Sequence, residues 1–172
     1  MTSLHSLRSL RSLQACGDRD LQAFIRHATT TDFRTETVII AQGQPAVGAF
    51  LIVSGRCRAE VQRGDRRMVL GSLGPGDLFG ELGLYACGQK RTATVVAEED
   101  VSALLILPDA LNQEALRPVI DELERRAMAS VADRIRRSAA KARRFSDEDE
   151  DDDPSASWVA SVMTSLRRLV GG

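Results

Sequence analysis

The sequence predicts a mainly β fold, an antiparallel barrel or sandwich with helices before and after it. The region from Phe33 to Leu107 consists of short apolar runs that alternate with turns containing glycine or proline. Many short strands separated by such turns are typical of these antiparallel folds. Hydrophobic residues make up 43% of the chain and aromatic residues only 4%. Aliphatic side chains must therefore fill most of the core.

Residues 1–17 form a segment rich in serine, leucine and arginine. It contains no acidic residue, and its leucines recur at every third position: Leu4, Leu7, Leu10 and Leu13. On a continuous α-helix this spacing makes the apolar stripe drift, so no clean amphipathic face is expected. We predict an ordinary N-terminal helix on a cytoplasmic protein. A mitochondrial targeting segment, which is also basic and serine-rich, is the alternative.

The core region, residues 18–117, is predicted to begin with a helix over residues 18–28. Leu21, Phe24 and Ile25 share one face of that helix. Six strands are then predicted over residues 37–41, 50–53, 56–61, 67–73, 92–97 and 101–107. Gly64-Asp65 is predicted as the tip of a hairpin, because a glycine-containing pair suits a two-residue turn.

Two helices are predicted after the strands. Pro108 suits the first turn of a short helix that ends near Leu116, and Pro118 suits the start of a longer one over residues 118–145. An apolar ridge at four-residue steps marks the longer helix: Val119, Leu123, Ala127, Val131 and Ile135. Eight lysines or arginines between positions 125 and 144 make its other face basic. Such a ridge predicts that the helix packs against another part of the protein.

The stretch that points most clearly to a ligand lies between the last predicted strands. It reads G-D-L-F-G-E-L-G-L-Y at 76–85 and R-T-A-T-V at 91–95. Gly80 and Gly83 let a ligand approach the backbone, and the amides that open the short turn between them attract anions. Arg91 offers a planar fork for two phosphate oxygens, while ionised Glu81 only accepts hydrogen bonds and suits a sugar hydroxyl. Together they predict a cyclic nucleotide.

This stretch resembles the phosphate-binding cassette of cyclic-nucleotide-binding domains, such as those of cAMP-dependent protein kinase regulatory subunits and the catabolite activator. The family pattern F-G-E-[LIV]-[AG]-L, a spacer and R-[ST]-A-x-V is similar to F-G-E-L-G-L and R-T-A-T-V here. I-I-A-Q-G-Q-P at 39–45 and F-L-I-V-S-G at 50–55 resemble two further blocks. The resemblance covers residues 13–116. It implies a jelly-roll-like barrel of the double-stranded β-helix type, followed by a short helix and a hinge or lid helix.

The resemblance also implies a role for each residue of the cassette. Glu81 would accept a hydrogen bond from the ribose 2′-hydroxyl, and Arg91 would hold the exocyclic phosphate oxygens. Thr92 would add a hydroxyl and could reach a guanine amino group, which keeps cGMP open beside cAMP. The other implied contacts are Phe79, Gly80, Leu82, Gly83 and Ala93. Val131 or Ile135 of the lid helix would cap the base.

Some positions depart from the family pattern. Val47 stands where Asp is frequent, Ala49 where a large apolar residue is common, and Tyr85 where an aliphatic residue is usual. The glycine usual in the first turn is absent from residues 35–37. None of these positions is Glu81 or Arg91, so the departures concern hairpin geometry more than ligand contacts.

Seven consecutive acidic residues, 147–153, lie within segment 146–157, which we predict to be a disordered linker because like charges repel. A short amphipathic segment, 158–172, follows. Ser146 lies between R-R-F and the acidic run, a setting that resembles both basic-directed and acidic-directed kinase sites. Phosphorylation there would add up to about two negative charges. An unmodified linker serine is the alternative.

Composition excludes several other classes. A formal net charge of −1 gives no basic field for nucleic acid. Cys16, Cys57 and Cys87 form no C-x-x-C pair and are odd in number, which favours a reducing, intracellular compartment. His5 and His27 have no spaced metal partners, so no metal site is predicted. No apolar run is long enough for direct membrane insertion.

The sequence therefore predicts a non-catalytic regulatory module that binds cAMP or cGMP and signals to an effector protein through movement of the lid helix. We expect no enzyme activity and no other cofactor, because no nucleophile–base pair or metal cluster is visible. A scaffold that keeps the fold and assembles through its C-terminal helix, with Glu81 and Arg91 as a structural ion pair, is the alternative. A transcription factor is disfavoured, because the acidic run stands where a DNA-binding domain would follow.

Overall fold

The computed structural model describes residues 2–85 and 88–126. The residues that precede the first strand fold into short helices. α1 spans Leu4–Arg8, a 3₁₀ turn spans Arg11–Leu13, and α2 spans Asp18–His27. Two acidic residues in the first turn of α2 interact favourably with its dipole. Within the described residues, no helix is both long enough and apolar enough to cross a membrane.

Eight antiparallel strands follow and form two four-stranded sheets. They are β1 (Thr29–Phe33), β2 (Val38–Ile40), β3 (Ala49–Ser54), β4 (Cys57–Arg63), β5 (Arg66–Leu73), β6 (Leu78–Phe79), β7 (Thr94–Ala97) and β8 (Val101–Ile106). One sheet has the order β1-β8-β3-β6 and the other β2-β7-β4-β5. The antiparallel, jelly-roll-like prediction is confirmed, although the strands form two sheets rather than one closed barrel.

Six of these strands match the predicted ones within two residues, whereas β1 and β6 were not predicted. β1 reads T-T-T-D-F and has a single apolar residue, so its alternation is too weak to detect. Its pairing with β8 through five residue pairs, from Thr29 opposite Leu105 to Phe33 opposite Val101, decides its conformation. The predicted hairpin tip is confirmed, because β4 and β5 pair up to Arg63 and Arg66 on either side of Gly64-Asp65.

Two apolar clusters lie on opposite faces of the β1-β8-β3-β6 sheet. The first packs the helical segments against one face of this sheet, and the second fills the space between the two sheets. β3 contributes to both, because successive side chains of a strand point to opposite faces. Leu51 belongs to the first cluster and Ile52 to the second, and both are fully buried. Cys57 lies in the second cluster and is fully buried.

The leucines of the N-terminal segment belong to the first cluster. Leu7, Leu10 and Leu13 are at most 2% exposed. The expectation of a drifting stripe is wrong, because α1 ends at Arg8 and Leu13 ends a 3₁₀ turn. Leu7 lies in α1, Leu10 is an extended residue between the two elements, and Leu13 ends the turn. The chain thus changes direction between the leucines, and all three reach the first cluster. The mitochondrial alternative and the boundary at residue 17 stay predictions.

The segment after β8 turns back onto the first cluster. The predicted short helix is in fact two 3₁₀ turns, Pro108–Asn112 and Glu114–Leu116. A helix then covers residues 117–126, which we call α4. Val119 and Leu123 of the predicted ridge are buried in the first cluster, together with Ile120. The rest of the predicted lid helix, the acidic linker and the terminal segment lie outside the described residues.

Candidate functional site

The cassette begins at a tight turn that is fixed to β3. The amide of Gly74 donates to the Asp77 carboxylate at 2.8 Å, and the amide of Asp77 donates to the Gly74 carbonyl at 2.9 Å. Gly76 occupies the left-handed region with φ of 91°, and its amide donates to the carbonyl of Ile52 at 2.8 Å. This turn therefore leads directly into β6 and places the next residues beside β3.

The F-G-E-L-G-L motif forms a strand end, a bend and one helical turn. Phe79 ends β6 and stacks on Phe50 with ring centroids 5.3 Å apart. Gly80 then reverses the chain with φ of 71°, a conformation that L side chains rarely adopt. Glu81 is half-buried, and α3 follows over Leu82–Tyr85. The prediction of a short turn at this position is confirmed.

The backbone of Arg91 is held by the loop that precedes β3. Its amide donates to the Gln44 carbonyl at 2.8 Å, and its carbonyl accepts from the amide of Gly43 at 2.8 Å. Pro45 and Lys90 form an isolated antiparallel bridge beside these bonds. Arg91 therefore lies before β7 rather than inside it, with its backbone fixed on both sides.

The guanidinium of Arg91 points towards the cassette. It donates from Nη1 to the Gly80 carbonyl at 2.9 Å and from Nη2 to the Gly48 carbonyl at 2.8 Å. The residue is only 7% exposed. Burial lowers the pKa of Arg91, and the charge of Glu81 raises it to a smaller extent. Among the described residues Arg91 forms no ion pair, and its guanidinium donates to two backbone carbonyls.

Gly83 explains why the second glycine of the motif lacks a side chain. A Cβ atom at this position would lie 2.5 Å from the carbonyl oxygen of Gly48 and 3.1 Å from Nη1 of Arg91. Neither the backbone of Gly48 nor the buried guanidinium can move away easily. Gly80, Gly83, Gly48 and Arg91 therefore form one closely packed unit, which we call the glycine notch.

Of the predicted site residues, the structure brings Gly80, Gly83 and Arg91 into contact and places Glu81 close enough for its charge to act on Arg91. Phe79 is buried, and Thr92 and Ala93 are half-buried beside Arg91 in the chain, while Leu82 starts α3. Val131, Ile135 and Ser146 lie outside the described residues. The sequence analysis missed Gly48, whose carbonyl accepts from Arg91. The sequence offered one indication of its role. Gly48 lies between Val47 and Ala49, two positions that depart from the family pattern.

Tyr85 links α3 to α4. Its hydroxyl donates to Oε1 of Glu124, and burial raises the pKa of that carboxyl group. This contact joins the end of the cassette to the helix that follows the sheets. The sequence had marked Tyr85 only as a departure from the family pattern.

A separate open cleft of about 370 Å³ shares no lining residue with the glycine notch. Arg34 and Asp100 form an exposed ion pair of 2.9 Å at its rim. Its lining residues are Asp32, Phe33, Arg34, Ser54, Asp100, Val101 and Ser102. None of the predicted site residues lines it. Over residues 2–85 and 88–126, no group of three or more His, Cys, Asp or Glu side chains is arranged to hold a metal ion.

Sequence relatives place this arrangement in a family. A model of the cyclic nucleotide-binding domain matches residues 30–117, just over half of the chain. The cAMP-activated global transcriptional regulator CRP of Salmonella typhimurium is 33% identical over 82 residues, covering 47% of this chain and 39% of that protein. The CRP-like cAMP-activated global transcriptional regulator of Mycobacterium tuberculosis is 31% identical over 120 residues, covering 69% and 52%. The chain thus spans about half or less of the length of these relatives.

Solved structures share the same fold. The catabolite activator protein of Thermus thermophilus superposes with a TM-score of 0.62 at 24% identity, covering 78% of this chain and 62% of that one. A cAMP-binding acyltransferase from Mycobacterium smegmatis gives a TM-score of 0.62 at 28% identity, covering 75% and 40%. The fold, the glycine notch and the family match agree, and the chain belongs to the cyclic nucleotide-binding domain family.

Proposed function

We propose that this chain is a non-catalytic regulatory module that binds cAMP or cGMP at the glycine notch. The observation that carries the proposal is the buried guanidinium of Arg91, which forms no ion pair within the described residues. A buried charge without an ion-pair partner is costly, and a ligand that brings a negative charge would offset that cost. A cyclic phosphodiester brings one negative charge and two free oxygens, which match one guanidinium.

Glu81 supports a cyclic nucleotide over a simple anion. Its half-buried carboxylate next to Gly80 repels phosphate but accepts hydrogen bonds from a ribose hydroxyl. The relatives favour cAMP, because the regulators of Salmonella typhimurium and Mycobacterium tuberculosis are described as cAMP-activated. The hydroxyl of Thr92 could reach a guanine amino group, so cGMP is the competing ligand. Val131 or Ile135 is proposed to cap the base.

The proposed signal passes from the cassette to α4. Binding would exchange the bonds from Arg91 to Gly80 and Gly48 for bonds to phosphate, which shifts the cassette. Tyr85 would transmit that shift to Glu124 on α4 and so to the lid helix. The ligand would thereby change the balance between open and closed states of the lid. An effector protein in the cytoplasm, rather than nucleic acid, is the proposed recipient.

Isothermal titration of the full chain with cAMP and cGMP tests the binding site, with linear 5′-AMP as the control ligand. We expect Arg91→Ala to abolish binding and Arg91→Lys to weaken it at least tenfold, because lysine keeps the charge but loses the fork. Arg34→Ala, at the separate cleft, is the matched control and should bind normally. The Arg91 variants must keep the wild-type circular dichroism spectrum for this comparison.

A scaffold that binds no nucleotide is the second candidate. It is favoured by the two hydrogen bonds that already tie Arg91 to Gly80 and Gly48, which give the guanidinium a structural role. The two candidates differ in thermal unfolding. A ligand at 100 times its dissociation constant stabilises the folded protein by about 2.7 kcal/mol. Unchanged melting at millimolar cAMP and cGMP would leave the scaffold as the function.

A further inference from the structure

Four charged side chains of alternating sign cross the β2-β7-β4-β5 sheet, and we call them the charge ladder. Glu36 lies in the turn before β2, Arg58 and Glu60 lie on β4, and Arg67 lies on the edge strand β5. Arg58 donates to both carboxylate oxygens of Glu36, at 3.2 and 3.1 Å, and to Glu60 at 3.3 Å. Arg67 donates to the other carboxylate oxygen of Glu60. Ala59 belongs to the second cluster, so the charge ladder lies on the outer face of the sheet.

The middle of the charge ladder is largely buried, whereas its two ends are exposed. The side chains of Arg58 and Glu60 are 21% and 8% exposed, and those of Glu36 and Arg67 are 67% and 55% exposed. Within the ladder each oxygen of Glu36 accepts one hydrogen bond, although it has two lone pairs, and Arg67 uses one of its five N–H donors. The ladder therefore presents a carboxylate near the β2 edge and a guanidinium near the β5 edge, each able to form further bonds.

Two exposed valines lie on the same outer face. Val38 of β2 is opposite Val96, which is opposite Arg58 in turn, and Val69 of β5 is opposite Glu60. Residues directly opposite each other in antiparallel strands have neighbouring side chains on one face. Both valines are more than half exposed, and each lies two positions along the chain from one end of the charge ladder. Each edge of the face thus combines an aliphatic side chain with a charge, and the two charges have opposite signs.

A ladder of alternating charges is complementary to a reversed copy of itself. In a two-fold dimer the same surface patch of both copies meets, so residues at one end of the patch contact those at the other end. With the ladders reversed, Glu36 of one copy would face Arg67 of the second copy, and the same contact would form again at the other end. Arg58 would face Glu60 of the second copy. The reversal also sets the β2 edge of each copy over the β5 edge of the other, which brings the exposed valines towards each other.

We propose that the outer face of the β2-β7-β4-β5 sheet binds a second copy of this chain, with the two charge ladders reversed. Charge pairing specifies the partner and the register, and burial of the valines adds apolar contact. A uniformly acidic or basic partner would match one end of the ladder and be repelled by the other, so the alternation favours a second copy. The inference goes beyond nucleotide binding, because no residue of the charge ladder belongs to the glycine notch.

Sedimentation velocity of the full chain, without nucleotide and over a range of micromolar concentrations, measures the dissociation constant of the dimer. Glu36→Lys and Arg67→Glu are made as two separate variants. We expect each variant alone to weaken the dimer at least about tenfold, because like charges then meet at both ends of the ladder. An equimolar mixture of the two should form a heterodimer within about threefold of the unaltered affinity, because opposite charges meet again at both ends.

A matched pair of control variants reverses charges elsewhere on the surface. Arg8 and Asp18 form an exposed ion pair between α1 and α2. Arg8→Glu and Asp18→Lys should each leave the dissociation constant of the dimer within about threefold of the unaltered value, because neither side chain lies on the sheet. The dimer should also weaken with salt, since the Debye length falls from about 10 Å at 0.1 M to about 3 Å at 1 M.

Three outcomes would overturn the proposal. The first is a chain that stays monomeric at every concentration. The second is a dimer that Glu36→Lys and Arg67→Glu leave as tight as the control variants do, because another surface would then hold it. The third is a mixture of the two ladder variants that associates no better than either alone, because the loss would then come from damage to the fold rather than from charge. Nucleotide titration of the same variants reports separately on the glycine notch.

Discussion

Arg91 shows how one residue connects the sequence pattern to the chemistry of the site. Its guanidinium is buried, and it is bonded to two carbonyl groups that come from distant parts of the chain, Gly48 and Gly80. The sequence predicts Arg91 and Glu81 because their functional groups match the ligand. It cannot predict the carbonyl of Gly48, because backbone acceptors are alike at every residue and only the fold brings this one close.

Gly83→Ala is expected to destabilise the protein by about 1–3 kcal/mol, the usual range for an overpacked site. The new Cβ atom would lie 2.5 Å from the Gly48 carbonyl oxygen and would push the cassette away from β3. Urea unfolding measures the loss, and nucleotide affinity should fall with it. Gly74→Ala is the matched control, because a Cβ atom there meets only Arg56, at 4.0 Å. Equal stability of the two variants would contradict close packing at the glycine notch.

Cys57 is expected to resist alkylation. Burial raises the pKa of its thiol to about 11, so at pH 8 only about one molecule in 1,000 carries the reactive thiolate. Iodoacetamide should therefore modify Cys57 at least about 100-fold more slowly than an unstructured cysteine peptide. Peptide mapping by mass spectrometry follows the reaction, with the half-buried Cys16 as the internal reference. Modification of Cys57 as fast as Cys16 in the folded protein would contradict its position in the second cluster.

At the scale of elements, the strands and helices with strong local patterns were predicted and the others were not. β3 and β8 are mostly apolar, and the hairpin tip has a glycine turn, so all three could be identified. β1 and the two-residue β6 depend on pairing with distant strands, which no local pattern reveals. The N-terminal leucines show a further limit. Their three-residue spacing became interpretable only when the helix was seen to end and a 3₁₀ turn to follow.

The contact between α3 and α4 gives a prediction for pH. Burial raises the pKa of Glu124 above its ordinary value of 4.5, so the folded state holds this proton more tightly than the unfolded state. Its contribution to stability is therefore complete below pH 4.5 and is lost as pH rises through the raised pKa. Because glutamine does not ionise, Glu124→Gln removes this loss of stability at higher pH. Relative to the unaltered chain, the variant should gain stability as pH rises from 4.5 to 7 in urea titrations.

One control variant accompanies that measurement, and a second variant tests the contact between the two helices. Glu114→Gln, at an exposed position in the preceding 3₁₀ turn, is the matched charge-removing variant. Tyr85→Phe removes the hydroxyl donor and should raise hydrogen exchange of α4 about fivefold, the effect of losing a bond worth about 1 kcal/mol. A variant at Glu124 whose stability runs parallel to that of the unaltered chain would contradict the burial of this carboxylate. Exchange unchanged in Tyr85→Phe would contradict the link between the two helices.

For the whole molecule, the decisive feature is that one sheet serves two apolar clusters. β3 is buried on both faces, so Leu51 packs against the helical segments while Ile52 packs between the sheets. β8 does the same with Leu104 and Ala103. Neither cluster can lose its packing without exposing the sheet that the other also uses. The N-terminal segment and α4 are therefore parts of the same cooperative unit as the strands, although they lie far apart in the sequence.

This shared sheet predicts a single unfolding transition for the described part of the chain. Leu10→Ala in the first cluster should cost about 2–4 kcal/mol, and Val95→Ala in the second about 1–3 kcal/mol, from lost burial and the cavities left behind. Each change should shift the whole transition in urea, with the same midpoint by circular dichroism and by hydrogen exchange of β7 and α2. If Leu10→Ala released α2 at low urea while β7 stayed protected, the two clusters would be independent units. Because both midpoints depend on β3 and β8, we expect them to move together in both variants.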